Sequence, residues 1–214
     1  MADAGARFHQ LYETLRTRIC LLDYPPGTQL SETVLAEEFG TSRTPLRRVL
    51  ARLEDEGLLR SVHGVGTMVT DVDVHEMAQT YALRMELAQL AGMLDPVPVT
   101  PEVRAVLDAL IARGDGLFAQ PDPRHFAQLN LDYFRFGLSL TANQPLRDMS
   151  ERLYIRTARI WLKSIPRMDL SDEIAVFRDE MAQTRRALAA GDTQAAALIR
   201  RAHISLSYAR LSQT

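Results

Sequence analysis

The sequence predicts a mainly α-helical protein in two parts: a small helical unit closed by a β-hairpin, then an all-helical bundle of about six helices. Three observations carry that prediction. Apolar residues recur at helical spacing along most of the 214-residue chain. The clearest break in that period runs from Leu58 to Thr70, where short apolar runs at Leu58 to Val62 and Thr67 to Thr70 flank His63-Gly64-Val65-Gly66, a loop with the glycines a tight hairpin needs. After Asp71-Val72-Asp73 the pattern is helical throughout and is punctuated by prolines and glycines. The expected division is therefore 1–70, a linker at 71–73, and 74–214.

Each element has its own signal. Phe8, Leu11, Tyr12, Leu15, Ile19 and Leu22 fall on one helical face, and Tyr24-Pro25-Pro26-Gly27 stops it. Ser31 caps a short helix bearing Val34, Leu35 and Phe39, closed by Gly40. The turn Gly40-Thr41-Ser42 leads into a third helix, with Thr44 as N-cap and Pro45 in the first helical position. Leu46, Val49, Leu50 and Leu53 share its apolar face, while Arg47, Arg48, Ala51 and Arg52 share the other. Three guanidinium groups beside one small residue suit close approach to a phosphate-lined groove; a solvated basic stripe on an ordinary surface helix is the competing reading. Helix, turn and helix at this spacing make a DNA-reading helix-turn-helix, and the hairpin after Gly57 adds a wing. The second part reads as helices over about 74–94, 101–118, 123–140, 145–164, 171–190 and 192–212. They are broken at Asp95-Pro96-Val97-Pro98, Pro121-Asp122-Pro123, Asn143-Gln144-Pro145, Ile165-Pro166 and Gly191-Asp192.

Composition removes several classes of function. A net charge of -2 conceals any local basic patch, and 46% hydrophobic content is ample for packed cores. Lys163 is the sole lysine, so positive charge is almost all arginine. A single cysteine, Cys20, excludes an internal disulfide framework and any paired-cysteine metal knuckle; between Ile19 and Leu21 it reads as a small core residue. Met1 to Ala6 carry no signal-type apolar core and no run is long enough to span a bilayer, which predicts a cytoplasmic protein with no membrane partner. The chain has no Ser/His/Asp or Cys/His pairing at plausible spacing and no phosphate-cradling glycine loop, so no enzyme is expected.

The segment from Leu15 to Val69 resembles the DNA-binding domain of the GntR family of bacterial transcription regulators. The resemblance rests on Pro26-Gly27-Thr28-Gln29-Leu30-Ser31, on the run from Leu35 to Arg47, and on Leu53-Glu54-Asp55-Glu56-Gly57-Leu58. It implies that Arg43 and Arg47 contact guanine edges and phosphates of double-stranded operator DNA, with Ser42, Thr44, Arg48 and Arg52 along the same surface. It implies also that the wing around Gly66 lies in or near the minor groove. Val65 stands where family members often carry arginine, which shifts the expected minor-groove contact towards His63 or Arg60.

The second part resembles the FadR branch of that family, through Tyr81-Ala82-Leu83-Arg84-Met85-Glu86-Leu87, the Thr141 to Leu146 turn and the Ala187 to Asp192 junction. Many members of that branch hold a divalent metal with one aspartate and three histidines. The matching positions here are Asn130, Phe134, Met181 and His203, and only the last is kept. Amide and thioether are poor donors for zinc or nickel, so neither metal nor other cofactor is expected. Phe134 and Met181, with Leu138, instead predict a more apolar cavity in which Asn130 and His203 are isolated polar groups. That suits a small organic effector, anionic or apolar. Arg84, on an otherwise apolar helix, needs either a protein carboxylate or an anionic ligand. The resemblance thus implies a homodimeric repressor whose operator affinity is controlled by an effector in the helical domain. A metal-dependent, carboxylate-responsive regulator, or a protein-interaction module that keeps the winged helix as scaffold, are the competing expectations.

Overall fold

The computed structural model describes residues 2–213, and the side chains of 5–213, so the reading of Met1 to Ala6 lies largely outside the described residues. Tertiary contacts divide the chain after Val72.

The first unit contains α1 (Ala2–Cys20), β1 (Gln29–Leu30), α2 (Glu32–Glu38), α3 (Arg43–Asp55), β2 (Leu59–Val62) and β3 (Gly66–Val69). Its core is made by Leu11, Leu15 and Ile19 of α1 against Leu46, Val49 and Leu53 of α3, with Cys20 buried among them. Of the apolar residues Val34, Leu35 and Phe39, Leu35 is buried, with Ala36 beside it, Phe39 is half-buried, and Val34 is exposed. Ser31 caps α2 by accepting from the Val34 amide, as its position predicted.

One local expectation needs correction. The N-cap of α3 is Ser42, whose backbone is extended, and the helix begins at Arg43, so Thr44 is not the cap and Pro45 is the third helical residue. Proline is still tolerated there, because the first amides of a helix have no carbonyl to bond within it. The expected hairpin of the wing is β2 paired with β3, and β1 joins it as a third strand in the order β1-β3-β2. Gln29 pairs with Met68 and Leu30 with Thr67, both antiparallel. Two residues are too few to show alternation, so β1 leaves no pattern in the sequence.

The second unit holds α4 (Ala78–Leu90), α5 (Pro101–Ala119), α6 (Pro123–Ser139), α7 (Gln144–Ser164) with a short 3-10 turn after it, α8 (Leu170–Ala189) and α9 (Thr193–Leu211). Thr100, Asp122, Asn143, Asp169 and Asp192 each accept a backbone N–H as the cap of the following helix, which fixes five starts. The start of α4 has no such cap. It falls at Ala78 and not near residue 74, because Asp73 accepts from the His75 and Glu76 amides and holds the chain in turns first. Leu107, Phe126, Leu129, Tyr133, Phe177 and Met181 form the centre of the bundle. The end of α4 lies tightly against the start of α9: a Cβ at Gly92 would stand 2.5 Å from the Thr193 carbonyl oxygen.

Candidate functional site

Two sites emerge, one in each unit. On the first, the exposed start of α3 brings two arginines onto one carboxylate. Arg43 Nε and Nη2 donate to Glu32 Oε2 at 3.2 and 2.9 Å, and Arg47 Nε donates to the same oxygen at 2.8 Å. Burial tends to raise the Glu32 pKa, but the hydrogen bonds from Arg47 and Arg43 hold it below the ordinary carboxylate range. One anion thus serves two cations. Among the described residues neither Nη group of Arg47 has an acceptor, so its fork is free for a base edge or phosphate.

The other arginines of α3 lie elsewhere. Arg48 sits over the Phe8 ring at 5.3 Å, and Arg52 over the Tyr12 ring at 3.9 Å while pairing with Glu56. The single three-guanidinium face expected for Arg47, Arg48 and Arg52 is therefore split: Arg43 and Arg47 gather by α2, while Arg48 and Arg52 lean on α1. Ser42 and Thr44 are exposed beside Arg43. His63 and Gly66 are exposed at the turn between β2 and β3. Gly66 has φ of +116°, and a Cβ there would stand 3.4 Å from the Gln29 amide nitrogen, so the tip is shaped around glycine. Glu54 of α3 accepts from the Ser61 backbone and hydroxyl, tying wing to helix.

The second site is a cavity in the helical bundle, with about 760 Å³ of non-atom space that is partly open to solvent. Arg84, Phe134 and Leu138 line it, in walls that include Leu87, Leu146 and Ile204. Asn130, Met181 and His203 do not line it. Asn130 donates its side-chain amide to the Phe126 carbonyl one turn back. Met181 is fully buried, and its Cε would be 2.8 Å from a Cβ placed on Gly114, so it fills the bundle core. His203 is buried with Nδ1 3.8 Å from Glu180 Oε2. Phe134 stacks on Tyr154 at 3.8 Å.

Sequence reasoning passed over the polar wall of this cavity. Arg200 lines it and donates to Glu180 at 2.8 Å, and Tyr133 and Thr184 line it with their hydroxyl oxygens 2.8 Å apart. Their signal was present. Arg200 has Ala196, Ala197, His203 and Ile204 three and four residues away, and all four are buried, so the charge stands on the inward face of α9.

With this geometry in place, the likeness to known proteins is specific. The signature of "Bacterial regulatory proteins, gntR family" matches residues 8–69, and that of the FCD domain matches 79–206. A Streptomyces ambofaciens protein, described as an uncharacterized HTH-type transcriptional regulator in an unstable DNA locus, is 31% identical over 215 residues. The match covers 95% of this chain and 85% of that one. The chain belongs to the GntR family. Its FCD domain is the FadR-type C-terminal domain. The Bacillus subtilis regulator YdhC is 26% identical over 145 residues, 67% of this chain and 65% of the relative, so the shared stretch stops short of two thirds of that protein. The fold matches E. coli McbR/YncC with a TM-score of 0.83 at 21% identity over 97% of each chain. These relatives are described as transcriptional regulators, in agreement with the expectation of a regulator and not an enzyme. Among the described residues no helix is long and apolar enough to cross a membrane.

The metal set of the FadR branch does not fit this chain. Among the described residues no three His, Cys, Asp or Glu side chains gather to hold an ion. Asn130, Phe134 and Met181 are each committed to packing or to a backbone hydrogen bond.

Proposed function

We propose that this GntR-family chain is a cytoplasmic repressor that binds a short pseudo-palindromic operator as a homodimer and is released by a small organic effector in its helical unit. The observation that carries the DNA-reading half is the pairing of Arg43 and Arg47 on Glu32 at the exposed start of α3. A shared carboxylate holds the two guanidinium groups side by side while leaving donors free, a geometry suited to guanine O6 and N7 and to neighbouring phosphates. Ser42 and Thr44 add short hydroxyls next to that pair, and Arg48 and Arg52 supply positive charge along the helix. His63 and Gly66 place the wing tip near the minor groove.

The effector acts only through differential affinity: it must bind the arrangement that does not fit the operator more tightly than the one that does. The cavity supports that half, since it combines apolar walls with a few fixed polar groups.

The test is in vitro selection of DNA sequences by the full chain, followed by titration of the selected duplex. A palindromic consensus is expected, with affinity falling steeply as salt is added. Arg47→Ala should lose about 1–3 kcal/mol of specific binding and keep its circular-dichroism spectrum. A random selection, or an Arg47→Ala variant that binds the consensus as tightly as the parent, would sink the proposal. Weak salt dependence would favour a protein-interaction module instead.

A further inference from the structure

The charge balance of the cavity carries more than its shape. Two charged residues line it, Arg84 and Arg200. Arg200 is already matched: Nη1 donates to Glu180 Oε1 at 2.8 Å, and the Glu180 side chain is only 4% exposed. Arg84 is not. It is 9% exposed, and among the described residues no carboxylate reaches it. Its Nη1 donates to Thr157 Oγ1 at 2.7 Å, while the Thr157 hydroxyl faces the Tyr154 carbonyl at 2.9 Å. Tyr81 and Tyr154 flank the guanidinium, with ring centroids at 5.0 and 5.1 Å. These neighbours offer dipoles and ring faces but no full negative charge. Burial lowers the Arg84 pKa, the two phenols oppose that, and Arg200 adds to it; an arginine nevertheless stays protonated.

One positive charge therefore stands uncancelled in largely apolar walls. We propose that the cavity binds an organic molecule with a single carboxylate on an apolar body, the carboxylate seated on Arg84, and that Glu180 enforces the one-anion limit by occupying Arg200. This rests on the reading of the helical unit as an effector domain. A carboxylate matches the planar fork of Arg84. A second anion would meet an Arg200 whose charge Glu180 already balances, and would be buried without a cation of its own. A phosphate monoester, close to dianionic at neutral pH, meets the same obstacle. The guanidinium stands in for the metal that the residues at Asn130, Phe134 and Met181 do not hold.

Calorimetric titration of the full chain without DNA, at about pH 8 where an ordinary histidine is neutral, tests this with probes of one chain length. Octanoate should bind at least tenfold more tightly than suberate or octyl phosphate, and octanol should show no heat. Arg84→Met should weaken octanoate at least tenfold and at the same time raise the melting temperature of the unliganded protein, since an unmatched buried cation is replaced by an apolar side chain. A purely structural Arg84 would lower that temperature, and the proposal would fall. Glu180→Gln frees Arg200 and should move the preference at least tenfold towards suberate; if that variant does not fold, the parent's octanoate-to-suberate ratio decides alone. Equal binding of octanol or suberate overturns the proposal, as does an absence of binding by every monocarboxylate from butanoate to dodecanoate and by 4-phenylbutanoate. Because no DNA is present, octanoate binding stands or falls apart from operator recognition.

Discussion

The two units use the same arithmetic in opposite surroundings. In the first, Arg43 and Arg47 share Glu32, and their side chains are 58% and 62% exposed. In the second, Arg84 and Arg200 have one carboxylate between them, Glu180, and all three are largely buried. Each site is left with one positive charge in excess. In water that excess is hydrated and screened, so the outer pair can sit ready at little cost and attract a polyanion from a distance. Inside the bundle the same excess has lost its hydration, so it destabilises the empty protein and rewards whatever anion restores balance. On the proposed readings, exposure would make the one site permissive and burial would make the other selective.

The largest test of this contrast is to delete the shared carboxylate in each unit. Glu180→Ala leaves Arg200 without its counter-ion and should cost about 3 kcal/mol in urea unfolding, the low end for a broken buried pair because Arg200 keeps some solvent access. Glu32→Ala should cost about 0.5 kcal/mol or less. Comparable losses in the two variants would erase the distinction. Next in size is removal of the excess charge itself. Arg84→Met should stabilise the unliganded protein by about 1 kcal/mol, whereas Arg47→Met should leave the melting temperature nearly unchanged. The smallest effect on stability, though not on recognition, belongs to Glu32→Gln. Losing that anion should tighten binding to random DNA several-fold and loosen Arg43 and Arg47, so the ratio of operator to random-sequence affinity falls. A ratio that stays constant would show that Glu32 does not position the pair.

The fold was legible where local rules acted alone. Paired apolar faces gave α1 and α3, and the proline and glycine breaks separated five later helices, each of which proves to be capped by a side chain at its start. It was less legible where partners are distant in sequence. β1 exists because Gln29 and Leu30 meet Met68 and Thr67, a pairing that two residues cannot announce. The start of α3 was displaced because both Ser42 and Thr44 are good caps, and only the extended backbone at Ser42 decides between them. Of the positions that match the branch's metal set, Asn130, Met181 and His203 do not line the cavity, because packing turns them elsewhere. Met181 lies next to Glu180 in sequence, yet the neighbour carries the charge that matters. Glu180 has Phe177 and Thr184, both buried, at helical spacing; a carboxylate on an inward face was the readable clue.

Glu32 has a further consequence for how such a protein finds its target in a cell. A genome presents about a million or more wrong sites for each right one, and time is spent at every stop. If Arg43 and Arg47 read DNA as proposed, phosphates that would hold a bare pair of arginines firmly anywhere must compete with Glu32 for them. Each mistaken stop would thereby be shortened, while a site that also satisfies the proposed base-reading donors would keep its grip. Dwell times of single molecules on non-operator DNA should lengthen in Glu32→Gln, so that more of the protein sits idle along the chromosome. On that reading the carboxylate would set how quickly the arginines let go.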